Sequence, residues 1–443
     1  MVNKLSISLT YNKHYNIKSM MCFDGSNVFD YAIESLENSF LLDLFNRNDE
    51  IVVFDIKQFL KLYCHKNIEL CPAKVKKLYS VKLAHHLKDS NNKNIEITDI
   101  FDNQYIKANI DRIKSFIKIY TLDKYLDLIP DYILRNYNIA CATALYNYEF
   151  NIDNIYYYHD LKYSIYMLAL CEQNGIKCLS KDVKNINGFI YPDYEYDSTY
   201  TGRLQNKYPI NLQNLSKDDV IRKQLVSRYD GGKILLADWD SIDLRVLFAM
   251  AHEMIFTPDL HSEVAKIVLE KNIITEEDRK KIKEINFSIV YSAGLDSVSQ
   301  KTGIPKEELI ELLKKLFIRF NNVKKFVVET RDFVLNNGYA KSYFGRKRFL
   351  NKDETTKFVN STIQMTSADI CMRAIDGIQS EIGDFQFIKL IPYIVYDKLA
   401  IDCHPNWVED GAKVLNKLMS YYAPGKLGAK VNFPIKIEYR ETL

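Results

Sequence analysis

Two short apolar runs, each carrying an aspartate at its end, constrain this chain more than any other feature. The first, "GGKILLADWD" (231–240), reads as a turn followed by a strand that delivers Asp238. The second, "FIKLIPYIVYDKLAIDCHP" (387–405), reads as two strands joined by a tight turn around Tyr396, Asp397 and Lys398. A single aspartate at a strand end is most simply a turn or cap residue. Two carboxylates raised on neighbouring strand ends and facing one cavity repel each other unless cations occupy the site. Two Mg²⁺ ions meet that demand, and paired metals are a recurring device for in-line displacement at phosphorus.

A second pattern lies between these runs. "EEDRKKIKEINFSIVYSAG" (276–294) sets Arg279, Lys283, Phe287 and Tyr291 at four-residue intervals. In a helix a four-residue step drifts only about 40°, so these side chains form one slowly winding stripe. Ile282, Ile285 and Ile289 fall on a different face, which accounts for a core stripe without the two rings. The segment alone fits an amphipathic helix with a solvated cationic edge. It equally fits a helix whose two cations hold a polyphosphate while the next two rings lie against a flat, stackable group.

At 443 residues the chain is long enough for two or three domains, and its formal charge of +3 neither demands nor excludes a nucleic-acid partner. The eight cysteines show no C-x-x-C pair and no zinc-type Cys/His cluster, as expected of reduced thiols. No secretory h-region and no run of membrane-spanning length is present, so the expectation is a cytoplasmic protein without a membrane partner. Short apolar runs ("KLSISL", "EIVVFDI") alternate with helical segments over residues 1–100 and suggest a small α/β domain. Asp55 in that region reads as a turn or cap residue. From 101 to 200 the pattern is helical, and "HDLKYSIYMLALCEQNGIKC" stops at Asn174-Gly175.

Taken together, these segments resemble a family A DNA polymerase over roughly residues 160–443. "LLADWDSIDLRVL" resembles the family's first palm motif, D-Y-S-x-I-E-L-R. "RKKIKEINFSIVYS" resembles its fingers-helix motif, and "IVYDKL" its third motif, V-H-D-E-L. Around them, in family order, stand "TGRLQNKYPINLQNL", "DLHSEVA", "GYAKSYFGRKRFL" and "NSTIQMTSADI". The resemblance implies an α+β fold of the right-hand type. It has a palm built on an antiparallel sheet at 201–260 and 351–443, helical fingers at 261–350, and a connector with a remnant thumb at 101–200.

The same resemblance implies site residues and partners. Asp238 and Asp397 would bind two Mg²⁺ ions, with Mn²⁺ as a substitute. Lys283, Arg279 and His261 would contact the triphosphate of an incoming dNTP, Lys283 also serving catalysis. Phe287 would pack on the sugar and Tyr291 would abut the nascent base pair. Arg203, Asn360 and Gln364 would reach the minor groove of primer-template DNA, where contacts read pair shape more than sequence. Arg245, in the first palm motif, is carried into the nucleotide-binding set. Asp243 stands where the family usually has Glu, the residue that crowds a 2′-hydroxyl, and Phe287 in place of Tyr implies poor use of dideoxynucleotides.

Departures from the family carry their own expectations. Lys398 puts a cation where the third motif expects a second carboxylate. It either weakens metal binding or points away and does little, and Asp240, two residues after Asp238, is expected to supply the missing negative charge. Ser292 replaces a Gly after the fingers Tyr, and Thr356, beside Lys357, replaces an Arg that touches the primer strand. Only 25 residues separate Gly175 from Thr201, too few for the family's long helical thumb, so a nearly thumbless enzyme is expected. Such an enzyme would need a processivity or replisome protein to hold DNA. The 1–100 domain resembles a 3′–5′ exonuclease, but "KLSISLTYNK" lacks the acids of a D-x-E pair, which makes it a vestigial one without proofreading. The reduced size suggests phage, plasmid or organelle-type replication, in a host cytoplasm or an organelle matrix. Two alternatives stand beside this reading. One is a catalytically impaired DNA-binding subunit of a replication complex. The other is a single-subunit RNA polymerase-like enzyme, against which Asp243 argues.

Overall fold

The computed structural model describes residues 2–11, 17–119, 131–216, 218–291, 294–383 and 385–443; Ser292, singled out above, lies outside them. The chain divides into two compact units, residues 1–88 with 92–173, and residues 89–91 with 174–443. The helical stretch read as a connector from 101 therefore falls largely within the first unit.

The first unit is built on a five-stranded sheet. Its strands are β1 (Lys4–Tyr11), β2 (Ile17–Phe23), β3 (Val28–Ala32), β4 (Glu50–Val53) and β5 (Leu78–Ser80), in the order β3-β2-β1-β4-β5. β1, β2 and β3 pair antiparallel, whereas β4 and β5 run parallel to β1. The β-branched run Ile51-Val52-Val53 is central and almost fully buried, as a strand covered on both faces requires. Helices α1 (Asn38–Arg47), α2 (Ile56–His65), α3 (Pro72–Lys76) and α4 (Val81–Lys88) intersperse with the later strands. They are followed by α5 (Ile97–Ile100), α6 (Gln104–Ile119), α7 (Asp131–Tyr146) and α8 (Ile155–Asn174). Asp55 caps α2, accepting from the Lys57 amide at 2.9 Å, and pairs with Lys82 at 3.0 Å. β1 carries buried hydroxyls and no acid: Ser6 donates to the Ala142 carbonyl at 2.7 Å and Ser8 to Asn138 at 2.9 Å.

The second unit begins where α8 stops at Asn174. Gly175 follows with φ +61°, a left-handed turn that a side chain would strain. Short strands β6 (Ile176–Cys178), β7 (Phe189–Ile190), β8 (Asp193–Glu195) and β9 (Gln205–Tyr208) come next, then α9 (Val220–Lys223) and β10 (Leu225–Val226). Among the described residues between α8 and the main sheet, α9 is the longest helix, at 4 residues.

The main sheet has the order β14-β15-β11-β16, all neighbours antiparallel. Its strands are β11 (Lys233–Trp239), β14 (Ile388–Val395), β15 (Lys398–Cys403) and β16 (Ile435–Arg440). β12 (Tyr339–Lys341) and β13 (Lys347–Phe349) form a separate hairpin. Between β11 and β14 the chain makes α10 (Ile242–Met250), α11 (Leu260–Leu269), α12 (Glu276–Val290), α13 (Leu295–Thr302), α14 (Lys306–Arg319), α15 (Asn321–Asn337) and α16 (Phe358–Ile382). α17 (Val408–Leu415) precedes β16. α16 is buried along most of its length, and Ser361, Thr366, Ser367 and Asp369 are buried on it beside its apolar residues. Among the described residues the cysteines form no disulfide, and no helix is long and apolar enough to cross a membrane.

Candidate active site

The β14–β15 hairpin turns through Tyr396 and Asp397, with Val395 paired to Lys398. Tyr396 takes the left-handed conformation, φ +58°, that tight two-residue hairpins demand. Lys398 is therefore the first residue of β15 rather than part of the turn, and it sits directly opposite Asp238 on β11. Asp238 and Asp397 line one cavity of about 330 Å³ at this end of the sheet, together with Asp240, Asp243, His261 and Lys436.

The stripe on α12 opens onto the same cavity: Arg279, Lys283, Phe287 and Tyr291 all line it. Ile282, Ile285 and Ile289 are buried on the other face. The helix start is set by a capping box in which Thr275 and Asp278 satisfy each other's amides. Lys283 Nζ lies 5.4 Å from the centre of the Phe287 ring, and that ring packs 5.7 Å from Tyr291.

The electrostatics are those of crowded acids met by cations. Burial and the nearby Asp238 push the Asp397 carboxyl up to about 6. Lys398 Nζ forms an ion pair with Asp238. Burial alone would raise Asp240, but Lys436 at 2.7 Å, Ser241 and Arg245 hold it below the usual carboxylate range. Its charge is thus committed to cations of its own. Arg279 forks onto Asp259, the cap of α11, at 2.8 and 3.2 Å. His261 is held neutral, lowered to about 4 by burial and by Arg279 and Lys283. Its Nδ1 meets the buried Asn286 amide at 3.0 Å, which leaves Nε2 as its second polar atom.

Asp243 is held by three different side chains. Its Oδ2 accepts from Arg203 at 2.9 Å and from the Tyr291 hydroxyl at 2.8 Å, and its Oδ1 accepts from Ser367 at 2.6 Å. Asn360 and Gln364 lie one turn apart on α16, partly exposed and outside the cavity lining. Arg245 departs from its expected place. Fully buried, it donates to the carbonyls of Asp240, Asn432, Thr257 and Pro258, so it ties α10 to two loops instead of facing the cavity. Lys357 pairs with Glu354 at 2.6 Å.

Asp259, Asn286, Ser367 and Lys436 were not singled out by sequence reasoning. Asn286 could have been found, since it sits three positions after Lys283 within the same helical motif. Lys436 could not, because only the β11–β16 ladder brings it beside Asp238 and Asp240.

Asp238 and Asp397 offer hard oxygen donors in a cavity where burial and mutual repulsion call for a cation, so they fit divalent metal ions. Residues 155–441 match the DNA polymerase family A profile. DNA polymerase I of Caldicellulosiruptor bescii is 28% identical over 280 residues, 58% of this chain and 32% of that protein. DNA polymerase I of Aquifex aeolicus is 24% identical over 277 residues, 59% of this chain and 47% of that protein. The matched stretch thus spans less than half of each relative. Among solved structures, the POL domain of Pol1 from M. smegmatis, in complex with DNA primer-template and dNTP, superposes with a TM-score of 0.68 at 15% identity. That likeness of fold covers 99% of this chain and 95% of the other. With the family profile matching well over half of its length, the chain belongs to DNA polymerase family A.

Proposed function

We propose that this chain is a template-directed DNA polymerase that adds dNTPs to a primer 3′-hydroxyl. The observation that carries the reading is the opening of one cavity to both the acid pair, Asp238 and Asp397, and the Arg279–Lys283–Phe287–Tyr291 stripe. Arg279 and Lys283 hold the triphosphate and neutralise the departing pyrophosphate, with His261 contributing a neutral hydrogen bond. Phe287 packs on the sugar and Tyr291 stands at the base pair. Asp243, fixed by Arg203, Tyr291 and Ser367, crowds a 2′-hydroxyl and so favours deoxynucleotides. Arg203, Asn360 and Gln364 face the minor groove of the primer-template. Two divalent ions, Mg²⁺ or in its place Mn²⁺, bound by Asp238 and Asp397 would activate the 3′-hydroxyl and stabilise the leaving group.

Two features support a reduced enzyme. The short strands and the four-residue α9 in place of a long helical pair support weak intrinsic grip on DNA, to be supplied by a partner protein. The hydroxyls of Ser6 and Ser8 on β1 support a first unit without proofreading, and its strand order is compatible with an exonuclease-like ancestry. Replication of a phage, plasmid or organelle-type genome suits such an enzyme.

Primer extension at low salt, with Mg²⁺, dNTPs and primed template in excess, tests the reading against an Asp238→Ala/Asp397→Ala control. Extension by a few nucleotides per binding event, absent in the control, is expected. A second reading, a DNA-binding subunit without catalysis, is favoured by the Lys398–Asp238 ion pair. DNA binding without extension at any Mg²⁺ or Mn²⁺ concentration would select it.

A further inference from the structure

Lys398 and Asp238 are direct partners across the β11–β15 ladder. Directly opposed residues of an antiparallel pair project from the same face, so Lys398 cannot turn its side chain to the far side without breaking the register. It follows Asp397 in the chain, and its Nζ is already in ion contact with Asp238 Oδ2. The neighbouring acids have cations of their own: Lys436 on Asp240, Arg203 on Asp243 and Arg279 on Asp259. Lys398 thus meets the charge of the acid pair from within the hairpin that carries half of it. Both side chains are about a third exposed, at 36% and 34%, which leaves the lysine room to withdraw toward solvent.

We propose that Lys398 is a resident counter-cation of the acid pair, bound to Asp238 when no divalent ion is present and displaced when one binds. The inference rests on the reading of Asp238 and Asp397 as metal-binding acids. It has two consequences. Divalent ions bind against a competitor, so the chain requires more of them than the acid pair alone would. Without divalent ions, the lysine stabilises a fold that brings two carboxylates close together.

Mn²⁺ binding to the full chain, followed by calorimetry and by electron paramagnetic resonance without nucleotide or DNA, tests this on wild type, Lys398→Met and Lys398→Arg. The Met variant should bind Mn²⁺ about 10-fold more tightly, the loss of one cation at contact distance in a partly exposed site, while Arg should match wild type. In EDTA the Met variant should melt below wild type and regain more on adding Mn²⁺. Equal Mn²⁺ affinity in wild type and Lys398→Met overturns the counter-cation and leaves the metal-site reading standing. Absence of binding in every variant, with Asp238→Asn indistinguishable from wild type, overturns both. Lys398→Gln gives the same comparison should the Met variant not fold.

Discussion

Tyr291 donates its hydroxyl to Asp243 Oδ2 at 2.8 Å, and that bond ties the end of α12 to the first turn of α10. The residue proposed to stand at the base pair is thereby coupled to the one proposed to face the sugar. Ser367 and Arg203 complete the coordination of the same carboxylate, so its position is set by three donors rather than by the length of its own stem.

Removing the tyrosine hydroxyl should therefore loosen the hold on Asp243 while Arg203 and Ser367 keep it in place. Tyr291→Phe is expected to lower stability by about 1 kcal/mol, the usual net worth of one such bond, read by urea denaturation. Asp243→Ala should raise the use of ribonucleotides relative to deoxynucleotides by about 10-fold or more, read from the ratio of kcat/KM values.

Asp397→Asn should separate folding from function. It removes one of two like charges held close together and keeps the side chain's shape, so the melting temperature in EDTA should stay level or rise. Extension activity should fall by about 1000-fold or more, because an amide is a poor ligand for a hard divalent ion.

Gly202 is a third point of leverage. It has φ +75°, and a Cβ placed there would lie 2.4 Å from the guanidinium carbon of Arg346, a group fixed by its ion pair with Asp369. Gly202→Ala is expected to destabilise the chain by about 1–3 kcal/mol through backbone strain and the displaced arginine. Since Arg203 is the next residue, the variant should also lose nucleotide selectivity. A thermal melt together with ribonucleotide competition checks both effects.

The first unit should show a pH dependence of its own. Lys162 is fully buried, donates to the Lys76 and Leu78 carbonyls, and lies 4.9 Å from the centres of the Tyr79 and Tyr158 rings. Burial, with nearby Lys76, lowers it from 10.5 to about 7. Above about pH 7 the folded chain releases a proton that the unfolded chain keeps until about 10.5, so stability from this group should rise with pH across that window. Denaturation at pH 7 and pH 9 should show the rise in wild type and its loss in Lys162→Met.

Much of this architecture was legible one segment at a time. The run Ile51-Val52-Val53 reads as a buried strand because branched apolar residues without polar alternation have nowhere else to go, and it is one. The two faces of α12 follow from helical period alone, as does the start of the helix from its capping box. Asn174-Gly175 ends α8 because the following backbone must turn left-handed. These are local properties, decided within a few residues of chain.

What tertiary structure decided is which distant groups meet. The register of β15 on β11 aims Lys398 at Asp238, where the sequence alone allowed it to face either side. Arg245 belongs to a recognisable motif, yet packing buries it against four carbonyls because the loops after α10 need donors more than the cavity needs another cation. Arg279 meets Asp259, and Ser367 meets Asp243, only because α11 and α16 pack where they do. Helical period and strand alternation are written into neighbouring residues, whereas register and helix packing depend on surfaces formed by residues far apart in the chain. That is why the sequence determined the candidate ligands and the helix that faces them, and the fold determined which of their charges are already paired.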